Sequence, residues 1–232
     1  MQIIAEIGQN HNGDMELART LIRAAKANGA DVAKFQVFDA RALFPREGNP
    51  WFDYNCKTEL SRDQVRYLAD ECDKAGIEFM ASVFDCERIA WLEEVGMKRY
   101  KIASRSVHDD ALIKATAETG KPLLVSLGMW QQPGFPAVTA KGGVGFLHCI
   151  SKYPTELKDV GLGKIDFAVY AGFSDHTIGL SASMAAFARG AKIVEKHFTM
   201  DMTMYGPDHA GSMTPDQLKT LAEFRDEAAL CI

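Results

Sequence analysis

The sequence predicts an α/β fold, a closed (β/α)8 barrel of the TIM type, on three observations. Apolar runs of strand length recur about eight times. Most are followed by a helix-periodic stretch that stops at a glycine, and polar side chains gather where the runs end. Alternating strands and helices with short turns call for a parallel sheet, and 232 residues suit one closed barrel. The rival, a doubly wound open sheet, would carry a glycine-rich phosphate turn after its first strand. Gly8-Gln9-Asn10-His11-Asn12-Gly13 has the wrong spacing for that fingerprint.

The elements follow in order. Ile3 to Ile7 is the first strand; Asp14 caps a helix whose apolar face is Leu17, Ala18, Leu21, Ile22 and Ala25, ended by Gly29. Val32 to Val37 is the second strand, and a long loop through Pro45, Pro50 and Trp51 leads to Ser61, the expected cap of a helix carrying Val65 and Leu68. Gly76 stops it. Ile77 to Val83, Tyr100 to Ala103, Leu123 to Leu127 and Val144 to Cys149 are strands three to six, with helices over 85–95 and 109–119. Val169 to Phe173 and Lys192 to Lys196 are strands seven and eight, separated by a helix from about Gly179 to Arg189, and Thr214-Pro215 opens the last helix. Two units are trimmed. Trp130 to Pro136 is too rich in Pro and Gly for a fifth helix, and 155–167 permits at most a short sixth. No boundary interrupts the chain, so 1–232 reads as a single barrel domain.

Composition narrows the function. The chain is 47% hydrophobic and 25% charged, with a net charge of −5 and both signs dispersed. There is no basic patch for nucleic acid, and no apolar stretch long enough for a membrane span. The N-terminus lacks the pattern of a signal peptide. Five cysteines without a CxxC pair suggest neither a disulfide framework nor a zinc knuckle, so a reducing cytoplasm is the expected compartment.

A barrel keeps its chemistry at the C-terminal ends of its strands. There the chain offers Glu6, Lys34, Gln36, Ser82, Lys101, Ser104, Ser126, His148, Ser151, Tyr153, Asp175, His176, Glu195 and His197. Any one has a structural reading: Glu6 and Lys34 as an ion pair, a serine as a turn residue, a histidine as a satisfied core group. Polar residues in nearly every apolar strand are harder to explain that way, because burying them is costly. Two lysines and several hydroxyls suit an anionic substrate. His176 and His197, closing two neighbouring strands, suit a divalent metal.

The motifs Ile4-Ala5-Glu6-Ile7-Gly8, Asn10-His11-Asn12-Gly13, Lys34-Phe35-Gln36, Lys101-Ile102-Ala103-Ser104, His148-Cys149, Tyr153-Pro154, Ser174-Asp175-His176, Glu195-Lys196-His197-Phe198-Thr199 and Gly206-Pro207-Asp208-His209 resemble the N-acetylneuraminate (sialic acid) synthase family over almost the whole chain. The resemblance implies a metal-dependent condensation of phosphoenolpyruvate with an aldose, N-acetylmannosamine or a related amino sugar, that releases phosphate. It implies manganese or magnesium on His176 and His197. Lys34, Ser82, Lys101, Ser104, Ser126 and Ser151 would hold phosphoenolpyruvate, Gln36, Tyr153 and Asp208 the sugar, and Glu6 and Asp208 would be catalytic. A homo-oligomer is expected.

Three departures stand against the family pattern. The family continues Lys-Ile-(Ala/Gly)-Ser-Gly-Glu, whereas here Ser104-Arg105-Ser106 replaces the sugar-touching glutamate by Ser106 and adds a cation. The barrel is short around Gln131 to Lys141, and the chain ends at Cys231-Ile232, without the family's antifreeze-like domain. These leave two alternatives: a non-catalytic barrel that binds phosphoenolpyruvate and metal, and a Schiff-base aldolase using Lys34 or Lys101.

Overall fold

A computed structural model describes residues 1–231; Ile232 lies outside them. Eight parallel strands close into a barrel in chain order: β1 (Gln2–Gly8), β2 (Val32–Val37), β3 (Glu78–Val83), β4 (Tyr100–Ile102), β5 (Leu123–Ser126), β6 (Val144–Cys149), β7 (Gly172–Asp175) and β8 (Ile193–His197). β8 pairs back onto β1, with Glu6 opposite His197 on one side and Lys34 on the other.

Period-two alternation sorts every strand into two faces. Outward residues such as Ile3, Ala5, Phe35, Ala81, Tyr100, Val125 and Val194 are buried beneath the helices. Inward, Ile4, Val32, Met80, Leu124, Leu147 and Ile193 form a separate apolar cluster that plugs the barrel. Burial of each such side chain contributes about 1.5–3 kcal/mol. The plug is also the floor on which the polar residues above it stand.

Helices α1 (Met15–Ala27), α4 (Arg62–Ala75), α6 (Asp110–Glu118), α7 (Ser181–Ala188) and α8 (Pro215–Cys231) wrap the wall. Their ends obey the expected chemistry. Asp14 accepts from the backbone of Glu16 and Leu17; Ser61 and Gln64 make a reciprocal capping box; Gly76 closes α4 at φ 69°.

The structure corrects several boundaries. The long loop after β2 contains two short helices, α2 (Ala40–Leu43) and α3 (Phe52–Thr58), the first capped by Asp39. The helix after β3, α5, spans only Ile89–Glu94, because Asp85 accepts from Arg88 N at 3.0 Å and holds 85–88 in a turn. β7 begins at Gly172 rather than Val169, since Asp166 gathers the amides of Ala168, Val169 and Tyr170 into a turn. The trimmed side is as expected. No helix joins β5 to β6, where Phe135 instead stacks on Phe146 with centroids 4.5 Å apart, and only two 3₁₀ turns join β6 to β7. Among the described residues no helix is long and apolar enough to cross a membrane.

Candidate functional site

Two residues above the plug, each inward strand position turns polar. Ile4 is followed by Glu6, Val32 by Lys34, Met80 by Ser82, Leu124 by Ser126, Leu147 by Cys149 and Ile193 by Glu195. Two further steps give Gln36 and His197 on their strands. One cavity at the C-terminal end is lined by Glu6, Lys34, Gln36, Ser82, Lys101, Ser104 and Ser126, and by Tyr153, His176, Glu195 and His197. Ten of the twelve site residues expected from sequence therefore share one mouth.

Two lysines dominate it, each only 2% exposed. Lys34 Nζ lies 2.7 Å from Glu6 Oε2 and donates to Ser82 Oγ at 3.0 Å. Lys101 Nζ donates to Ser126 Oγ at 2.7 Å. Glu195 Oε1 stands between them, 3.7 Å from each ammonium, and accepts from Ser174 Oγ at 3.1 Å. Glu195 Oε2 is buried without a hydrogen-bond partner. Two cations thus share one loosely held carboxylate, which leaves capacity for an incoming anion.

The titration directions follow from this arrangement. Burial opposes the charge on Lys34, but Glu195 and Glu6 outweigh it and hold its pKa above the ordinary value. Lys101 goes the other way: burial, aided by repulsion from Lys34, outweighs Glu195 and depresses it. Burial would raise Glu195, and the two lysines turn that shift downward.

Glu6 is held from a second side by Gln36 Nε2, which donates to its Oε1 at 2.8 Å. Gly8 makes this possible. The β1–β2 register slips between Glu6 and Gly8, Gly8 has φ 53°, and a Cβ there would stand 3.1 Å from Gln36 Nε2 and 3.3 Å from Glu6 Oε1. Ser104 Oγ accepts from Gly128 N at 3.1 Å and faces Cys149 Sγ at 3.3 Å. Ser151 is outside the mouth lining, but its buried hydroxyl has no partner and adjoins Ser104 across Gly128.

His176 and His197 meet at the rim with ring centroids 5.9 Å apart. Nδ1 of His176 lies 2.9 Å from the carbonyl of Ile150. A carbonyl only accepts, so Nδ1 carries the proton and Nε2 keeps a free lone pair. Nδ1 of His197 is buried without a partner. Two imidazoles bonded to one ion at about 2.1 Å place their centroids at most about 6.5 Å apart, so the pair fits a shared divalent ion. Among the described residues no group of three or more His, Cys, Asp or Glu is placed to hold a metal ion. Tyr153 packs against His176 with ring centroids 4.1 Å apart and the planes tilted by 41°. Asp208 lies outside the main mouth, in an adjoining notch with Tyr153, Ile178, Pro207 and both histidines.

Other polar residues at the strand ends serve the scaffold. Asp175 borders the mouth, but its carboxylate is turned into the wall, where Oδ2 meets Lys196 Nζ at 3.1 Å and accepts from Ser183, and Oδ1 accepts from Thr177 N. His148 faces outward, stacked on Phe173 with Nε2 at 2.7 Å from Val160 O. Adjacent residues on a strand cannot both point inward, so Cys149 and His176 take the inner positions. The Asn10-His11-Asn12 motif is a loop brace. Asn10 donates to Phe198 O and Ser212 Oγ, while Asn12 Oδ1 accepts from Tyr54 and from His209 Nε2. His209 also meets Thr199 Oγ1 at 2.6 Å, which ties down the loop that carries Asp208.

Glu195 is the residue that sequence reading undervalued. It stood among the strand-end candidates without a role, although it lies two positions before His197 and so on the same face.

A closed parallel barrel whose mouth joins two buried lysines to a pair of rim imidazoles is, by class, a (β/α)8 barrel. The NeuB family model matches residues 21–230, and the chain belongs to that family. It is 36% identical over 249 residues to the N,N'-diacetyllegionaminic acid synthase of Legionella pneumophila, covering 95% of this chain and 70% of that protein. It is 34% identical over 242 residues to the human N-acetylneuraminate-9-phosphate synthase, covering 94% and 67%. The N-acetylneuraminic acid synthetase of Leptospira borgpetersenii, solved with citrate, superposes with a TM-score of 0.91 at 30% identity, over 99% of this chain and 84% of that one.

Proposed function

We propose that this chain is an enzyme that condenses phosphoenolpyruvate with an aldose of the amino-sugar class, releasing phosphate and forming a 2-keto-3-deoxy sugar acid. The observation that carries this reading is the pair of buried lysines sharing Glu195 beneath two rim imidazoles. The names of the relatives, an N,N'-diacetyllegionaminic acid synthase and an N-acetylneuraminate-9-phosphate synthase, support it.

Lys34 and Lys101, with Ser82, Ser126, Ser104 and Ser151, receive the phosphate and carboxylate of phosphoenolpyruvate. Gln36, Tyr153 and Asp208 orient the aldose. C3 of phosphoenolpyruvate forms a bond to the aldehyde carbon, whose oxygen takes up a proton to become a hydroxyl. Positive charge develops at C2, where the Glu6 carboxylate, fixed by Gln36 and Lys34, stabilises it. Water adds at C2, Glu6 or Asp208 accepts one of its protons, and the C2–O bond to phosphate then breaks while the second water proton passes to the departing phosphate, which leaves the keto acid. His176 and His197 would hold manganese or magnesium, which when bound supplies a Lewis acid for the aldehyde oxygen. Glu195 keeps the two ammonium groups at a fixed separation.

The test is phosphate release from phosphoenolpyruvate against a panel of aldoses, with and without divalent metal. Release is expected only when both are present, and His176→Ala or His197→Ala is expected to abolish it while the circular dichroism spectrum stays unchanged. Full activity of the double variant after chelation would overturn the reading. The depressed Lys101 ammonium favours one competitor, a Schiff-base aldolase. Borohydride trapping of substrate on Lys101 without a metal requirement would decide for it.

A further inference from the structure

We propose that Gly128 is a positioning residue for phosphoenolpyruvate: the space of its missing side chain is where Ser104 and Ser151 converge, and filling it disperses them without disturbing the fold. This rests on the condensation reading above and adds a residue to the machinery of that same mouth.

Gly128 lies in the turn that follows β5, two residues after Ser126. Its φ is not positive, so backbone conformation does not call for glycine there. Space does. A Cβ on Gly128 would stand 2.4 Å from Ser151 Oγ and 2.9 Å from both Ser104 Oγ and Cys149 Sγ. All three obstacles are the ends of short side chains, which can turn to another rotamer.

Gly142 is the opposite case. Its φ is not positive either, but a Cβ there would meet backbone, Pro122 N at 2.4 Å and the Lys121 carbonyl carbon at 2.5 Å. Backbone of a strand's first turn cannot swing aside, so Gly142 serves the fold. Gly128 serves the arrangement of three side chains.

That arrangement holds unspent donors. Gly128 N donates to Ser104 Oγ at 3.1 Å and fixes that oxygen. Ser104 donates its proton to Cys149 Sγ at 3.3 Å, and sulfur is a weak acceptor. An anionic oxygen entering the mouth therefore draws that hydrogen bond to itself. Ser151 Oγ is buried with no partner at all, a cost that a substrate oxygen would relieve. The plain alternative is a glycine kept small only by general packing of the turn.

The experiment measures phosphate release, with an aldose that turns over, for the wild type, Gly128→Ala, Ser151→Ala and the double variant, and urea denaturation of each. Gly128→Ala is expected to raise KM for phosphoenolpyruvate by about 10- to 100-fold, the cost of losing a hydrogen bond to a charged group. Its kcat, its KM for the aldose and its urea midpoint are expected to stay close to the wild type. Ser151→Ala removes the nearest obstacle, so adding Gly128→Ala to it is expected to raise KM by much less than Gly128→Ala does alone. Gly142→Ala is expected to lower the urea midpoint instead. An unchanged KM in Gly128→Ala, fully additive effects in the double variant, or a Gly128→Ala protein that does not fold overturns the proposal. Should no aldose release phosphate, the condensation reading fails by itself. Calorimetric binding of phosphoenolpyruvate then decides for Gly128: weaker binding to Gly128→Ala supports its role, and equal binding, or none to the wild type, overturns it.

Discussion

The barrel wall buries two lysine–carboxylate groups on opposite faces, and they are held in opposite ways. Outside, Lys196 and Asp175 are fully provided for: Lys196 also donates to Thr177 O, and Asp175 also receives Ser183 Oγ and Thr177 N. Inside, Lys34 and Lys101 share Glu195 at 3.7 Å each, and one Glu195 oxygen has no hydrogen-bond partner. Both groups are equally hidden from water. The difference is saturation. A saturated buried pair fixes structure, whereas an unsaturated one retains affinity for something not yet there.

The comparison breaks if the outer pair can be cut without harm. Lys196→Met leaves Asp175 buried and uncompensated, and is expected to cost about 3–5 kcal/mol in urea denaturation. Next in size is Lys101→Met. Glu195 keeps Lys34 and Ser174, and repulsion between the lysines is relieved, so stability should change far less than in Lys196→Met. Phosphate release is expected to drop by about 100- to 1000-fold, the usual cost of losing one charge-stabilising donor. If Lys101→Met unfolds the protein and Lys196→Met leaves stability untouched, the two faces have been assigned the wrong way round.

A smaller, pH-dependent effect concerns a fourth buried cation-former. His11 is fully enclosed, and burial lowers its pKa from 6.5 to about 4. The unfolded chain therefore binds a proton that the fold refuses between these values. The stability due to neutral His11 is complete above about pH 6.5 and is lost as the pH falls toward 4, by about 3 kcal/mol in total. His11→Gln should flatten the stability profile in that window. An unaltered slope would place the acid sensitivity elsewhere.

The fold was largely legible because its signals are local. Gly76, Ser61 and Asp14 mark helix ends through chemistry within a few residues, and Pro133, Gly134 and Pro136 announce a missing helix. The inward face was legible from polar residues at the strand ends, and the pleat explains why: Glu6, Lys34, Ser82 and Ser126 all follow a plug residue by two. His148 was read as a mouth residue because it sits next to Cys149, which is one, and only the pleat separates such neighbours; Asp175 does border the mouth, with its carboxylate committed to Lys196, Ser183 and Thr177. The hub role of Glu195 and the brace of Asn10, Asn12 and His209 were not legible. They depend on contacts between residues nearly the whole chain apart, and on a closure of β8 onto β1 that no local pattern states.

Gly172 carries a consequence for how this sequence can drift. At the plug level of β7 it has no side chain, and a Cβ there would lie 1.9 Å from Ile193 O on β8. The separation of those two strands is therefore gauged by a single hydrogen atom. His176 and His197 each lie four residues further along, so the gap between the imidazoles is inherited from that spacing. Every other amino acid adds at least a methyl group, which would have to push the strands apart. The rim chemistry is thus anchored to a position with no reactive atoms, and random substitution there meets a wall with no neighbouring solution.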